Sequence, residues 1–175
     1  MSVNRNTSDG SIVEFRKEGT TVGSIDVSAS GASIKLGGTA AANALDDYEE
    51  GTWTPVVQGA TTAGTATYTL QSARYVKVGS LVKVYGRVTF SGHTGSGQLR
   101  IAGLPFGNNG GSDAPAEVGY WNYGIVSSGY TVSPMIQNGV SHIAYWQYAA
   151  TGGSTSGINV AGGGTFTFGA TYRSN

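Results

Sequence analysis

Apolar and polar residues alternate with a period of two along most of this chain, and the alternating runs are short. Residues 11–15 and 21–27 are two such runs. Lys17-Glu18-Gly19-Thr20 lies between them as a turn signal, so the pair predicts a β-hairpin. Residues 32–36 repeat the alternation as a third short strand. Strands this thin bury no core of their own and need either the following domain or copies from other chains. Residues 37–45 read as a link, with one or two helical turns expected over 40–45.

Beyond residue 52 the alternation resumes and becomes aromatic. Strands are expected at 53–58, 65–70, 74–79, 81–90, 98–106, 116–125, 131–136, 141–149 and 164–173. Pro55 places the first of these at an edge or a strand end, because proline donates no ladder hydrogen bond. In the longest run Val82, Val84, Gly86, Val88 and Phe90 share one face, and Lys83, Tyr85, Arg87 and Thr89 share the other. Gly86 inside such a face marks a bulge or the close approach of a second sheet. Asn138-Gly139 signals a hairpin. Many short strands with turn signals between them define an all-β chain. The expected architecture is a short N-terminal β-hairpin stalk over 1–44, then an antiparallel, jelly-roll-like β-sandwich head over 45–175.

Composition narrows the picture. Charged residues are 11% of the chain and Gly is 29 of 175, while ten Tyr, five Phe and three Trp supply the apolar area a disordered chain lacks. Residues 1–50 hold eight acids against four bases, and residues 51–175 hold two acids against six bases. The net charge is zero, so neither nucleic acid nor an anionic membrane is an expected partner. There is no cysteine, hence no disulfide framework. No apolar signal core opens the chain and no run approaches the ~18 apolar residues of a membrane span, so membrane insertion is not expected. The abrupt start at Met1 reads as a boundary within a longer protein.

Catalysis is weakly provided for. Glycoside hydrolysis uses two carboxylates flanking one bond, and the head offers Asp113 and Glu117 unless the acids of the joint, Asp46, Asp47, Glu49 and Glu50, fold over a cleft. Those four could ligate Ca²⁺ or Mg²⁺, but their spacing is not that of an EF-hand, so no metal or other cofactor is expected. His93 and His142 are far apart and no nucleophile elbow accompanies them. Gly162-Gly163-Gly164 lacks the Lys-Ser of a phosphate loop. Binding is better supplied. Sugar rings pack on aromatic faces whose polar tips stay wet, and Tyr120, Trp121, Tyr123, His142, Tyr145, Trp146 and Tyr148 crowd two strands. Trp121 and Tyr123 share one face against Tyr120; His142, Trp146 and Tyr148 share one face against Tyr145. One face of each strand must be core, so the receptor candidates, Tyr120, Trp121, Tyr123, His142, Trp146 and Tyr148, include structural residues. The loops 107–115 and 150–163 are further candidates.

The run Asp46-Asp47-Tyr48-Glu49-Glu50-Gly51-Thr52-Trp53-Thr54-Pro55 resembles the entry to the C-terminal domain of many bacteriophage tail fibre proteins. Residues 73–86 and Ile101-Ala102-Gly103-Leu104-Pro105-Phe106 match the same pattern, and residues 9–25 resemble the segment that often precedes it. Residues 107–175 match in composition alone. The resemblance implies a homotrimeric virion fibre, made in the host cytoplasm, joined to other virion proteins through its N-terminus. Its tip would attach to a host cell-surface glycan or outer-membrane protein. It leaves two alternatives: a purely structural virion module, for capsid decoration or fibre assembly, and a polysaccharide-degrading spike. Within a trimer, Asp46, Asp47, Glu49 and Glu50 are expected at a collar, pairing with Arg74 or Lys77 of the head, and Trp53 is expected to anchor the core.

Overall fold

The computed structural model describes residues 8–29, 31–38, 40, 44–45, 47–123 and 126–174. It contains fourteen strands and no helix among these residues. The chain divides into two compact units, Met1–Glu49 and Glu50–Asn175.

The N-terminal unit is a four-stranded sheet of β1 (Gly10–Lys17), β2 (Thr20–Ser28), β3 (Gly31–Leu36) and β4 (Ala44–Leu45), paired in that order. The expected hairpin and third strand are both present. The expected helical turns over 40–45 are not found at their C-terminal end: Ala44 and Leu45 are extended and pair with Lys35 and Ile34. The edge of β3 offers unpaired backbone groups, and that pairing outweighs the weak helix preference of a short alanine run. Residues 41–43 lie outside the described residues.

The larger unit is one sheet that curls into a sandwich. Its strands are β5 (Tyr48–Trp53), β6 (Val56–Gly59), β7 (Thr67–Val78), β8 (Leu81–Ser91), β9 (Leu99–Ala102), β10 (Ala114–Asn122), β11 (Tyr130–Ile136), β12 (His142–Ala149), β13 (Thr155–Gly157) and β14 (Gly163–Arg173). The hydrogen-bonded order is β5-β7-β8-β14-β10-β11-β12-β9-β6, with β13 on β12. Strand β10 belongs to both layers: Ala114 and Pro115 pair with β11, and Ala116 onward pairs with β14.

Three expected strands proved to be differently cut. The run 53–58 is split at Thr54-Pro55, so that β5 and β6 stand at opposite ends of the strand order. Pro55 cannot donate to a ladder, and the chain uses that break to cross from one layer to the other. Gln71 Nε2 donates to Pro55 O at 2.9 Å, and the Tyr68 hydroxyl accepts from Val57 N at 2.8 Å, which ties the crossing to β7. The runs 65–70 and 74–79 are one strand, β7, bulged between Tyr68 and Leu70. Strand β13 emerges from the glycine-rich stretch 150–163, where no strand was expected.

The core lies between the layers. Val82, Val84, Val88, Phe166 and Ala170 on one side meet Val57, Leu99, Ile101, Ile136, Ile143 and Tyr145 on the other, all essentially fully buried. Each large side chain so buried contributes roughly 1.5–3 kcal/mol relative to exposure. Trp53 closes one end, its ring 5.8 Å from that of Phe168. Gly86 is regularly paired on both sides, so no bulge occurs there. A Cβ at this position would stand 2.6 Å from that of Ala73 and 2.8 Å from the Phe168 ring. The close approach comes from neighbours in the same sheet, not from a second sheet.

Candidate functional site

The six aromatic and histidine candidates fall in three places. Tyr123 is in the core: its ring packs on Phe90 and Phe166, and its hydroxyl pairs with the backbone of Ala161. Trp121 also points inward, its ring 5.1 Å from Phe166 and 5.6 Å from Tyr145. His142, Trp146 and Tyr148 lie on the outer face of β12, since the alternate residues Ile143, Tyr145 and Gln147 are buried. Tyr120 is 54% exposed on the outer face of the other layer. The core separates it from the β12 face.

On the β12 face, Arg100 stands opposite Ala144, with His142 and Trp146 as its diagonal neighbours. Burial and, secondarily, the Arg100 charge hold the His142 imidazole below its usual value of 6.5. Arg100 Nε, His142 Nε2 and Trp146 Nε1 are shielded and have no hydrogen-bond partner.

Tyr120 faces outward because of a bulge. In the β10–β14 ladder Val118 pairs with Phe168 and Trp121 with Phe166, so Gly119 and Tyr120 together oppose Thr167. The extra residue lets Val118 and Trp121 both point inward while Tyr120 turns out, a re-aiming that bulges commonly perform near sites. Tyr120 N donates to Thr167 Oγ1 at 2.6 Å, which fixes the bulge.

The outer face of β7, β8, β14 and β10 carries two adjoining grooves, and Tyr120 lines neither. The larger, about 450 Å³, is walled by Leu70, Ser72, Arg74, Tyr85, Arg87 and Thr167 over a floor of Ala73, Gly86 and Phe168. The smaller, about 270 Å³, shares Tyr85, Thr167 and Phe168 and is completed by Glu117, Val118, Gly119 and Gly169. Tyr85, half exposed, stands between them. The Arg87 guanidinium lies 5.7 Å from the centre of the Tyr120 ring. Glu117 is paired with Lys83 at 3.1 Å. Strand register holds these groups in place: Arg74 is opposite Tyr85, Ser72 opposite Arg87, and Arg87 opposite Thr167.

Of this face, sequence reasoning singled out Tyr120 as a receptor candidate, Glu117 as a candidate carboxylate and Arg74 as a partner of the joint acids. A signal for Tyr85 and Arg87 was present, since Lys83, Tyr85, Arg87 and Thr89 were assigned to one face of their strand; a tyrosine between two bases was its mark. Leu70 gave no such signal, because its outward direction depends on the bulge in β7.

The remaining candidates are placed as follows. The loop 107–115 is tied down: buried Asn108 donates to Ser112 O and Ile136 O, each at 2.9 Å, and Asp113 accepts from Asn138 N at 2.8 Å. Asp113 is outside both grooves. Of the joint acids, Asp46 lies outside the described residues, while Asp47, Glu49 and Glu50 are each engaged in interactions within the chain. Lys77 is buried beside the Phe106 ring, 5.5 Å from its centre. Among the described residues no three His, Asp or Glu side chains converge as a metal site, and no helix is long and apolar enough to cross a membrane. His93 is structural: its Nδ1 accepts from Gly95 N at 2.9 Å, and its Nε2 lies 3.1 Å from Val57 O.

The larger unit is thus an antiparallel β-sandwich with an outward aromatic and basic face. Among solved structures the chain is similar to the crystal structure of Dettilon tailspike protein (gp208), at 20% sequence identity and a TM-score of 0.60. The match covers 73% of this chain and 24% of that one, so this chain spans about a quarter of its length. No family model matches the chain, and no curated protein does.

Proposed function

We propose that this chain is a component of a bacteriophage fibre or tailspike, displayed on the virion as a homotrimer, and that its sandwich unit attaches to a glycan on the bacterial surface. The observation that carries the binding role is the pair of grooves sharing Tyr85. Rigid strands present tyrosine faces, guanidinium donors and hydroxyls side by side, which is the equipment for packing a sugar ring while bonding its hydroxyls. The likeness of fold to a tailspike supports the virion setting, as does the resemblance of residues 46–55 to tail fibre sequences. Among the described residues the one carboxylate lining the grooves is Glu117, and Lys83 neutralises it. A hydrolase of the usual kind would need a second carboxylate across the bond, so binding without cleavage is the better reading of this face.

Adsorption of the purified, fluorescently labelled chain to a panel of bacterial strains tests the proposal. Tyr85→Ala and Tyr120→Ala are each expected to weaken adsorption several-fold, on the basis of about 1 kcal/mol or more for a stacked aromatic contact. Both are largely exposed, so the fold should be retained. Adsorption unaffected by the double variant would refute attachment through this face. Release of reducing ends from the bound polysaccharide would establish the degrading spike in its place.

A further inference from the structure

We infer that the larger groove takes a negatively charged sugar, one bearing a carboxylate or a phosphate, in preference to a neutral one; this rests on the attachment role proposed above. Among the described residues its walls hold Arg74 and Arg87 and no acid. The register makes these two arginines diagonal neighbours, because Arg74 is opposite Tyr85 and Ser72 opposite Arg87. Diagonal neighbours in a sheet stand about 7–8 Å apart at their Cα atoms. Two guanidinium groups rooted at that spacing can converge on one carboxylate or phosphate, each offering paired N–H donors.

Neither guanidinium is spent elsewhere. Among the described residues no carboxylate is paired with either: Glu117, the acid of the smaller groove, is held by Lys83. Arg87 rests beside the Tyr120 ring, which positions it without neutralising it. The surroundings reinforce the field, since residues 51–175 carry six bases and two acids. Ser72 and Thr167 add hydroxyls, and Tyr85 and Leu70 an apolar wall, so the groove suits a ring with one charged substituent better than an inorganic anion. The smaller groove differs. Its charges are the balanced pair Lys83–Glu117, and Gly119 and Gly169 leave its walls low. It accommodates a neutral neighbouring sugar of the same chain.

The test is binding of the full chain to four immobilised polysaccharides: oligogalacturonate for a uronate, colominic acid for a sialate, phosphomannan for a phosphate ester, and dextran as the neutral control. At least one acidic probe is expected to bind, with affinity falling as salt rises, and dextran is not. Arg74→Gln and Arg87→Gln should each weaken that binding by about tenfold or more, while Arg74→Lys retains part of it. Which probe binds distinguishes a carboxylate from a phosphate ligand. Binding of no acidic probe, equal binding of dextran, or binding insensitive to both glutamine variants overturns the charge inference. If adsorption to bacteria still depends on Tyr85 and Tyr120 in that event, the attachment role stands without it. A lower sedimenting mass for Arg74→Gln or Tyr85→Ala would identify the face as a contact between copies and overturn the inference as well.

Discussion

Four tyrosines show how much the surroundings of one hydroxyl decide. Tyr68 accepts from Val57 N at 2.8 Å, Tyr172 donates to Phe106 O at 2.8 Å, and Tyr123 pairs with the backbone of Ala161. Tyr145 is fully buried with no partner for its hydroxyl. Burial pushes the Tyr123 phenol up to about 12 and that of Tyr145 higher still. A buried hydroxyl without a bond costs roughly 1–3 kcal/mol, whereas removing one member of a buried pair strands the other. Tyr145→Phe is therefore expected to leave stability unchanged or raise it by about 1 kcal/mol, and Tyr123→Phe to lower it by about 1–2 kcal/mol. Urea unfolding of the two variants checks this; a Tyr145→Phe protein clearly weaker than the parent would contradict the assignment. The sequence predicted which residues share a face with Tyr145, because alternation in a strand is strict. It did not reveal which face is inside. The opposite face of β12 holds His142, Trp146 and Tyr148 and is as aromatic as the buried one, so hydrophobicity alone could not choose.

At the scale of the elements, legibility tracked regularity. The hairpin of β1 and β2, the long strand β8 and the Asn138-Gly139 turn follow from local pattern and formed as expected, although the hairpin ladder shifts register at Ser11/Val13 and at Phe15/Arg16. What escaped was irregular: the bulge at Gly119–Tyr120, the bulge in β7 and the crossing at Thr54-Pro55. Each depends on how a partner strand is aligned, which the alternation along one strand does not record. Two of these shape the candidate face, because they turn Tyr120 and Leu70 outward. The N-terminal sheet carries an element-scale feature of its own. Lys35 reaches Asp26 across the β2–β3 ladder at 2.6 Å. That contact, helped by Ser11, holds the Asp26 carboxyl down at about 2, against 3.8 when unperturbed. The native sheet thus favours the ionised form. The resulting stabilisation is fully present above pH 3.8 and is lost as pH falls toward 2. Hydrogen exchange of the β2 and β3 amides should show protection declining over that window. Asp26→Asn should remove that decline and lower protection at neutral pH. An unchanged acid profile in the variant would place the sensitivity elsewhere.

For the whole molecule the two units pose opposite problems. The sandwich encloses its own core, but among the described residues of the N-terminal sheet the only buried ones are Gly23 and Ser24. Most of its apolar residues gather on one face, Val22 being an exception. Val13, Ile25, Ile34 and Leu45 stand in one row across the four strands, and Phe15, Gly23 and Leu36 in the next. Phe15, Ile34, Leu36 and Leu45 are 44–65% exposed. Such a face on a four-stranded sheet gains little from folding alone, and a contiguous apolar patch of this kind marks an association surface. Three copies around one axis would cover it and protect the strand edges, which is the physical argument for the proposed trimer. Weak single-site binding to a surface polymer would then be multiplied by the linked heads. Sedimentation equilibrium should give three times the chain mass of 17.9 kDa. Ile34→Asp with Leu36→Asp should reduce this to one chain, because charges opposite a neighbour's apolar row are costly to bury. The sandwich does not depend on these residues for its core, so the fluorescence of its three tryptophans and its groove should persist in the variant. Adsorption to bacteria should fall much further than the affinity for a short oligosaccharide. A parent chain that sediments as one copy would end the trimer argument. A variant that remains trimeric would move the assembly surface to another part of the chain, with the collar acids at 46–50 next to be replaced.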